Sequence, residues 1–465
     1  MADRSLLRTS ISEVAPLIQR GDVSPVELAE ASLAEIERSN PVLNAFRTTT
    51  PDRALSQARA AEDAIRRGEY RGPLHGIPLA VKDLMDMQGE TTPAGSRVLA
   101  DKVATEDSEV VRLLDAAGAV IVGKTHMPEF AFSPASNNAH YGPVANPWNH
   151  AHDTGGSSSG SGAAVAAGLV LGATGSDTGG SIRMPSTLCG IAGIKPTFGR
   201  VSGRGAATLS WSLDHMGPMC HSVIDAAIML QIMAGYDPGD PRTRRVAVDD
   251  YPAAVDKGVD GLKIGVLTDD GAGPMGTAAV MEGLQSGADA LAGAGATLVE
   301  VAIPELSALS ALYGTLLVIE AAAAYEDFLK NRLDELGDFA RDRMLVAYAY
   351  SPMTFVRGQQ ARTILRDRVT ERMADLDLLI LPGMPHEAPP IGVVQSNTRF
   401  TGAFNALGWP AMAVPVGIGE NNLPVATQIV GRPWMESLVF RAARVIERDG
   451  PWKGRQAPDI GVTAS

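Results

Sequence analysis

Residues 153–185 read DTGGSSSGSGAAVAAGLVLGATGSDTGGSIRMP, and this stretch decides the fold. Two glycine clusters that carry serines, 155–161 and 178–181, lie on either side of an apolar segment. Glycine allows positive φ angles and lets other atoms approach the backbone closely. A glycine pair before a serine therefore favours a tight turn that presents a hydroxyl group beside bare N–H groups. Acyl transfer needs this pairing, because it uses a nucleophile and hydrogen-bond donors for the oxyanion.

A flexible Gly/Ser linker is the alternative interpretation of the same composition. Two features count against it. The segment between the clusters is apolar, as a buried helix and strand would be, whereas linkers are polar. The second cluster also continues into Ser181-Ile182-Arg183-Met184-Pro185, and an arginine among apolar residues indicates a packed loop.

Composition indicates a large globular protein. The chain has 465 residues, of which 45% are hydrophobic, so it can bury a large core. Its formal net charge of −13 argues against direct binding of nucleic acid, which needs a basic surface. Two cysteines, Cys189 and Cys220, cannot form a disulfide framework or a zinc site. Because we also find no apolar leader and no stretch as long as a membrane span, we expect a cytoplasmic protein.

Short apolar strands alternate with helical patterns along the chain. This alternation predicts an α/β fold with a sheet covered by helices on both faces. We expect one domain over 1–465. A helical segment would fill 1–70, in which Asn40-Pro41 ends the second helix, the catalytic core would fill 71–220, and the rest of the sheet and the pocket rim would fill 221–465.

One lysine stands out at the end of a predicted strand. Gly76–Val81 is short and apolar, and Lys82 follows it directly. A lysine at a strand end commonly extends to solvent. The alternative is a buried lysine with a lowered pKa, which could act as a base. The scattered histidines form no catalytic or metal-binding pattern, so Lys82 is the best candidate to deprotonate a serine.

Residues 118–125 match the phosphate-loop pattern G-x-x-x-x-G-K-T, but we reject that interpretation. The residues between the glycines, 119–122, read as a strand, whereas a phosphate-binding loop would follow its strand with free N–H groups.

Taken together, these motifs resemble the amidase signature family. The resemblance rests on the lysine strand, the two serine clusters and the strand that contains Lys195-Pro196-Thr197, and it continues weakly to the C-terminus. It implies one large α/β domain with a central mixed β-sheet between helical layers. It also implies that the catalytic lysine is Lys82, that the bridging serine is Ser157 on a cis peptide bond, and that the nucleophile is Ser181.

The resemblance further assigns the groups around the substrate. The oxyanion hole would be made by the backbone N–H groups of Thr178, Gly179, Gly180 and Ser181. Ala131 matches a position that lines the acyl pocket. No metal or cofactor is implied. The pocket rim would include 127–132, 313–325, 344–355 and 400–409, whose apolar and aromatic residues favour a neutral, hydrophobic or aryl acyl group.

Three functional hypotheses follow. The first is a stand-alone hydrolase of amides, or of related carbamates and ureas. The second is the glutaminase (A) subunit of an amidotransferase complex that acts on charged tRNA, and the third is a protein that kept the fold without chemistry. Under the first, which we favour here, the partners would be a small amide or carbamate, with no direct nucleic acid, no membrane and a possible homodimer.

Overall fold

The computed structural model describes residues 4–393 and 397–460. The strands are β1 Phe46–Thr49, β2 Pro78–Lys82, β3 Val120–Thr125, β4 Ala145–Asn146, β5 Asn149–Asp153, β6 Gly172–Asp177, β7 Ala192–Lys195, β8 His215–Cys220, β9 Lys263–Asp269, β10 Thr297–Ala302, β11 Leu378–Pro382, β12 Ala411–Ile418 and β13 Pro424–Gly431. The α-helices are α1 Ile11–Arg20, α2 Pro25–Leu43, α3 Pro51–Arg66, α4 Glu109–Ala116, α5 Ser159–Ala166, α6 Arg183–Cys189, α7 Val223–Met233, α8 Tyr251–Ala254, α9 Ala278–Gly293, α10 Glu305–Ala324, α11 Glu326–Asn331, α12 Asp338–Leu345, α13 Pro352–Arg372, α14 Gly402–Leu407 and α15 Glu436–Asp449.

Eleven of these strands form one sheet in the order β1-β3-β2-β6-β8-β7-β12-β13-β11-β9-β10. β2 pairs in parallel with both β3 and β6, whereas β6 pairs antiparallel with β8, so the sheet is mixed. Every residue of β2, β3, β6, β8 and β11 is buried, which requires cover on both faces. The predicted fold class, a mixed central sheet with helices, is confirmed.

The parallel pairing of β2 with β6 positions the site. Leu79 pairs with Gly172 and Ala80 with Ala173. The carboxyl ends of the two strands, Lys82 and Asp177, therefore lie at the same edge of the sheet. The first glycine cluster leads into α5, whose Gly, Ser, Ala and Val residues are all buried, and the second cluster leads into α6.

Two local predictions can be compared directly with the structure. α2 does not end at Asn40-Pro41 but continues to Leu43, and Asn44 ends it in the left-handed region with φ 54°. The Asn40 side chain bonds both the N–H and the carbonyl of Phe46, which ties this last turn to β1. The residues 123–125 of the rejected phosphate-loop match lie inside β3, which confirms the rejection.

α10 corrects the expectation that no stretch reaches the length of a membrane span. It has 20 residues with a mean hydropathy of 1.6, which is long and apolar enough by those two criteria. One such helix is weak evidence, because the core helix of a globular domain passes the same test. Leu309, Tyr313, Leu316 and Leu317 of α10 are buried in the hydrophobic core.

Candidate active site

Lys82 lies at the buried centre of the site, with no exposed surface. Its Nζ is 2.7 Å from Ser157 Oγ and 2.9 Å from both Ser158 Oγ and Ser176 Oγ. Burial lowers the pKa of Lys82 well below its usual value, and the negative charges of Asp177 and Asp214 only partly oppose this. The side chain therefore does not extend to solvent; it is a desolvated amine surrounded by hydroxyl groups.

The three hydroxyl contacts fit a neutral amine, which has two N–H donors and one lone pair. The Ser158 hydroxyl donates to the Ser176 carbonyl at 3.2 Å, so it accepts from Lys82. Ser157 Oγ has no hydrogen bond other than that to Lys82 among the residues that the structure describes. Its proton can therefore point at the lone pair of Nζ, which is the direction that proton transfer from serine to lysine requires.

The backbone holds the cluster that contains Ser157 against the cluster that contains Ser181. The Gly156–Ser157 peptide bond is cis, as the family resemblance implied. The next residue, Ser158, donates its N–H to the Ser181 carbonyl at 3.1 Å, which holds the two serine clusters against each other. Ser181 keeps 6% of its surface exposed and lines a cavity, whereas Ser157 is fully buried.

The predicted oxyanion hole differs from the expectation at one residue. The Gly180 N–H donates to Asp177 Oδ1 at 2.7 Å and is therefore already engaged. The N–H groups of Thr178, Gly179 and Ser181 have no protein acceptor within 4–393 and 397–460. Three of the four predicted donors are thus available to an oxyanion.

Gly179 and Gly180 are required for steric reasons that the sequence pattern left unspecified. A Cβ atom on Gly179 would lie 1.8 Å from the Tyr313 hydroxyl oxygen. Gly180 has φ +130°, and a Cβ there would lie 2.3 Å from Thr401 Oγ1. Tyr313 and Thr401 therefore pack directly against the backbone of the second cluster.

A buried ion pair holds this cluster in shape. The Arg183 guanidinium donates to both carboxylate oxygens of Asp177, at 2.9 and 3.0 Å, and also to Gln428, Asn405 and the Thr401 carbonyl. Burial alone would raise the pKa of Asp177, but the charge and hydrogen bonds of Arg183 lower it below its usual value. Asp177 is therefore a buried carboxylate whose charge is matched.

The cavity beside Ser181 contains ≈ 300 Å³ of empty space, including its open mouth. Its walls are Ala131, Phe132, Ser133, Pro134, Thr178, Gly179, Ser181, Met184, Leu209, Tyr313, Leu317, Arg343 and Thr398. The predicted pocket residue Ala131 lies in this wall, and so do Phe132, Tyr313 and Leu317 from the predicted rim. The ranges 344–355 and 400–409 contribute none of its walls; Arg343 and Thr398, each just outside one of these ranges, do so instead.

Several residues of the site were not anticipated as participants. Ser158 and Ser176 bind Lys82, Asp177 organises the second cluster, and Arg343 puts a positive charge in the cavity. The two serines and Asp177 are all in the quoted stretch 153–185, so their proximity could have been suspected. The described ranges contain no group of three or more histidine, cysteine or acidic residues placed to bind a metal ion.

The fold and site define a class of enzyme. A family model named Amidase matches residues 27–440, and the chain belongs to this family. Members of the family hydrolyse carbon–nitrogen bonds, so the protein is an amidase-family hydrolase.

The most informative relatives are similar over almost their whole length. A protein of Methylococcus capsulatus, named as the (A) subunit of glutamyl-tRNA(Gln) amidotransferase, is 38% identical, covering 97% of this chain and 99% of its own. A second relative is a solved structure described as a vestigial protein complex that reveals the evolutionary origins of an s-triazine catabolic enzyme. It has a TM-score of 0.91 and 35% identity, covering 95% of this chain and 99% of its own. The peptide amidase of Stenotrophomonas maltophilia has TM-score 0.88 and 32% identity over 97% and 99%.

These names overturn the predicted partners. The sequence predicted a small-molecule substrate alone, with no direct nucleic acid, no membrane and a possible homodimer. Relatives at 38% identity are instead named as one subunit of an enzyme whose name includes a transfer RNA. The prediction is wrong, because the net charge of one chain does not report on what a second subunit binds.

Proposed function

We propose that this chain hydrolyses an amide bond through an acyl-enzyme on Ser181, with Ser157 and Lys82 carrying the proton. The 2.7 Å contact between Lys82 Nζ and Ser157 Oγ in a buried site carries this proposal. A serine hydroxyl is a weak nucleophile until a base takes its proton, and a neutral lysine can do so. The burial that lowers the pKa of Lys82 supplies that neutral amine.

The same proton relay serves both acylation and deacylation of Ser181. Ser181 Oγ attacks the carbonyl carbon and gives its proton to Ser157, which gives its own to Lys82. The N–H groups of Thr178, Gly179 and Ser181 stabilise the oxyanion. Lys82 then returns the proton through Ser157 to the leaving nitrogen, and the C–N bond breaks. Water attacks the acyl-enzyme by the same route and restores free Ser181.

The comparisons support the glutaminase-subunit hypothesis better than a stand-alone amidase. The relative at 38% identity is named as one subunit of an enzyme, and the structural neighbour at TM-score 0.91 comes from a protein complex. We therefore propose that the chain works as the amide-hydrolysing subunit of a larger assembly in the cytoplasm. Carbamates and ureas also have a carbonyl group bonded to nitrogen, so the proposal includes them as substrates of Ser181.

The test is Ser181→Ala, assayed by ammonia release from primary amides, glutamine among them. Turnover should fall by about a million-fold, as for other serine nucleophiles. A fluorophosphonate should label Ser181 in the unaltered protein. Ser437→Ala is the matched control, because the Ser437 hydroxyl bonds Asp249 at an exposed site. Labelling at a serine other than Ser181, or full activity of Ser181→Ala, would reject the assignment.

A further inference from the structure

Of the described residues in the wall of the cavity beside Ser181, one has a charged side chain, Arg343 of α12. Its guanidinium lies over the Phe132 ring, 4.3 Å from the ring centroid. Its Nη1 donates to the Phe132 carbonyl at 3.1 Å, which is its one hydrogen bond to the described residues. A guanidinium has five N–H donors, so most of its hydrogen-bonding capacity is unused by the protein.

The acids close to Arg343 in sequence are paired with its neighbour Arg341. Arg341 binds Asp342 at 2.8 Å and Asp338 at 2.9 Å on the outer side of α12. Arg343 has no ion-pair partner in the part of the chain that the structure describes. Burial lowers the pKa of Arg343, yet an arginine stays charged. Arg343 is half-buried beside the nucleophile, and a cation in that position is stabilised when a substrate brings an anion.

Among the residues that the structure describes, no carboxylate lines the same cavity to bind an ammonium group. Asp214 lies behind Thr178, but its Oδ1 accepts from the Thr178 hydroxyl and its Oδ2 from the N–H groups of Leu209 and Ser210. Burial raises the pKa of Asp214 to about 6, despite these hydrogen bonds. Its oxygens are thus already satisfied within the protein.

The adjoining cavity on the other side of Phe132 adds no free acid. Glu129 in its wall accepts from the Ser96 hydroxyl, His140 and the Gly337 N–H, so both its oxygens are used. Asp338, also in that wall, is 86% exposed and paired with Arg341. In the two adjoining cavities, Arg343 is therefore the charged side chain that remains available to a substrate.

We infer that the amide hydrolysed here carries one carboxylate, bound by Arg343, and no ammonium group. This inference rests on the proposed function of Ser181. It replaces the expectation of a neutral, hydrophobic acyl group, because that expectation did not include Arg343. It keeps the proposed role as an amide-hydrolysing subunit but departs from the glutaminase hypothesis in the substrate, because the ammonium group of free glutamine needs an acidic or carbonyl partner in addition to the cation.

Three five-carbon amides test the inference, because they differ only in charge. Glutaramate has the carboxylate alone, glutamine has the carboxylate and the ammonium, and pentanamide has neither. We expect kcat/KM for glutaramate to exceed that for pentanamide and for glutamine by about ten-fold or more, the size of a charge-assisted hydrogen bond. Arg343→Gln should reduce the ratio of glutaramate to pentanamide to about one, and Arg343→Lys should restore part of it. Arg341→Gln, the matched control on the same helix, should keep the ratio.

Binding to Ser181→Ala, measured by calorimetry, tests the charge preference without turnover. Glutaramate should bind and pentanamide should not, and adding Arg343→Gln should abolish the difference. The inference would be overturned by equal binding of glutaramate and pentanamide, by preferred binding of glutamine, or by loss of the preference in Arg341→Gln. Ser181-dependent hydrolysis of any amide would still leave the proposed function intact. Selective binding of glutaramate without Ser181-dependent turnover would instead reject the proposed function and leave the charge preference standing.

Discussion

Replacing Arg183 by methionine removes the cation of the most buried ion pair in the site. Neither Arg183 nor Asp177 has exposed side-chain surface. Loss of one partner of a buried pair costs about 3–5 kcal/mol, because the other charge stays buried without compensation. The entropy of unfolding is about 2.1 cal/mol/K per residue, and over 465 residues this is about 1 kcal/mol/K. The melting temperature should therefore fall by about 3–5 °C.

Differential scanning calorimetry of three variants checks this reasoning. Arg448→Met is the control, because Arg448 pairs with Asp449 at the surface, with side-chain exposures of 51% and 37%. Its melting temperature should change by less than about 0.5 °C. Adding Asp177→Asn to Arg183→Met should recover part of the loss, because no buried charge then remains. A shift for Arg183→Met no larger than that of the control, or additive losses in the double variant, would refute the argument.

Further predictions concern the chemistry. Burial lowers the pKa of Lys82, and the neutral form is the base, so kcat/KM should rise with pH and level off below the ordinary lysine pKa of about 10.4. Lys82→Arg should lose this activity. An active Lys82→Arg variant with an unshifted pH profile would remove Lys82 from the mechanism. Ser157→Ala should lower kcat by at least about a hundred-fold in stopped assays, since it interrupts proton transfer, while the melting temperature stays near that of the unaltered protein. Gly179→Ala should inactivate the enzyme because the new methyl group overlaps both the hydroxyl and the ring of Tyr313, and Tyr313→Ala in the same chain should restore part of the activity. Exhaustive chelation should leave ammonia release unchanged; a loss that zinc reverses would contradict the serine mechanism.

The sequence was informative where chemistry is local. The lysine directly after an apolar strand predicted Lys82 as a candidate base, because lysine is rarely buried without a partner. The resemblance of the two glycine clusters to the amidase signature family assigned the roles of Ser157 and Ser181. Strand alternation predicted the sheet but not the adjacency of β2 and β6, which brings Lys82 to Ser176.

Other features depend on contacts between distant segments. Arg343 lies in a helix that the pattern did not reveal, and only the packing of α12 against Phe132 puts its charge in the cavity. α2 continues past Pro41 because the side chain of Asn40 bonds the backbone of Phe46. A single proline is a weaker signal than such a tertiary tie.

The match of charge between Arg183 and Asp177 has a consequence for the general base. The negative charge of Asp177 favours the protonated form of Lys82, and burial favours the neutral form. Because Arg183 offsets the charge of that carboxylate, the effect of burial prevails, and the amine can accept a proton at a pH below the usual pKa of a lysine. Arg183, which is not among the hydrogen-bond partners of Lys82, thus helps to set the lowest pH at which the enzyme can turn over.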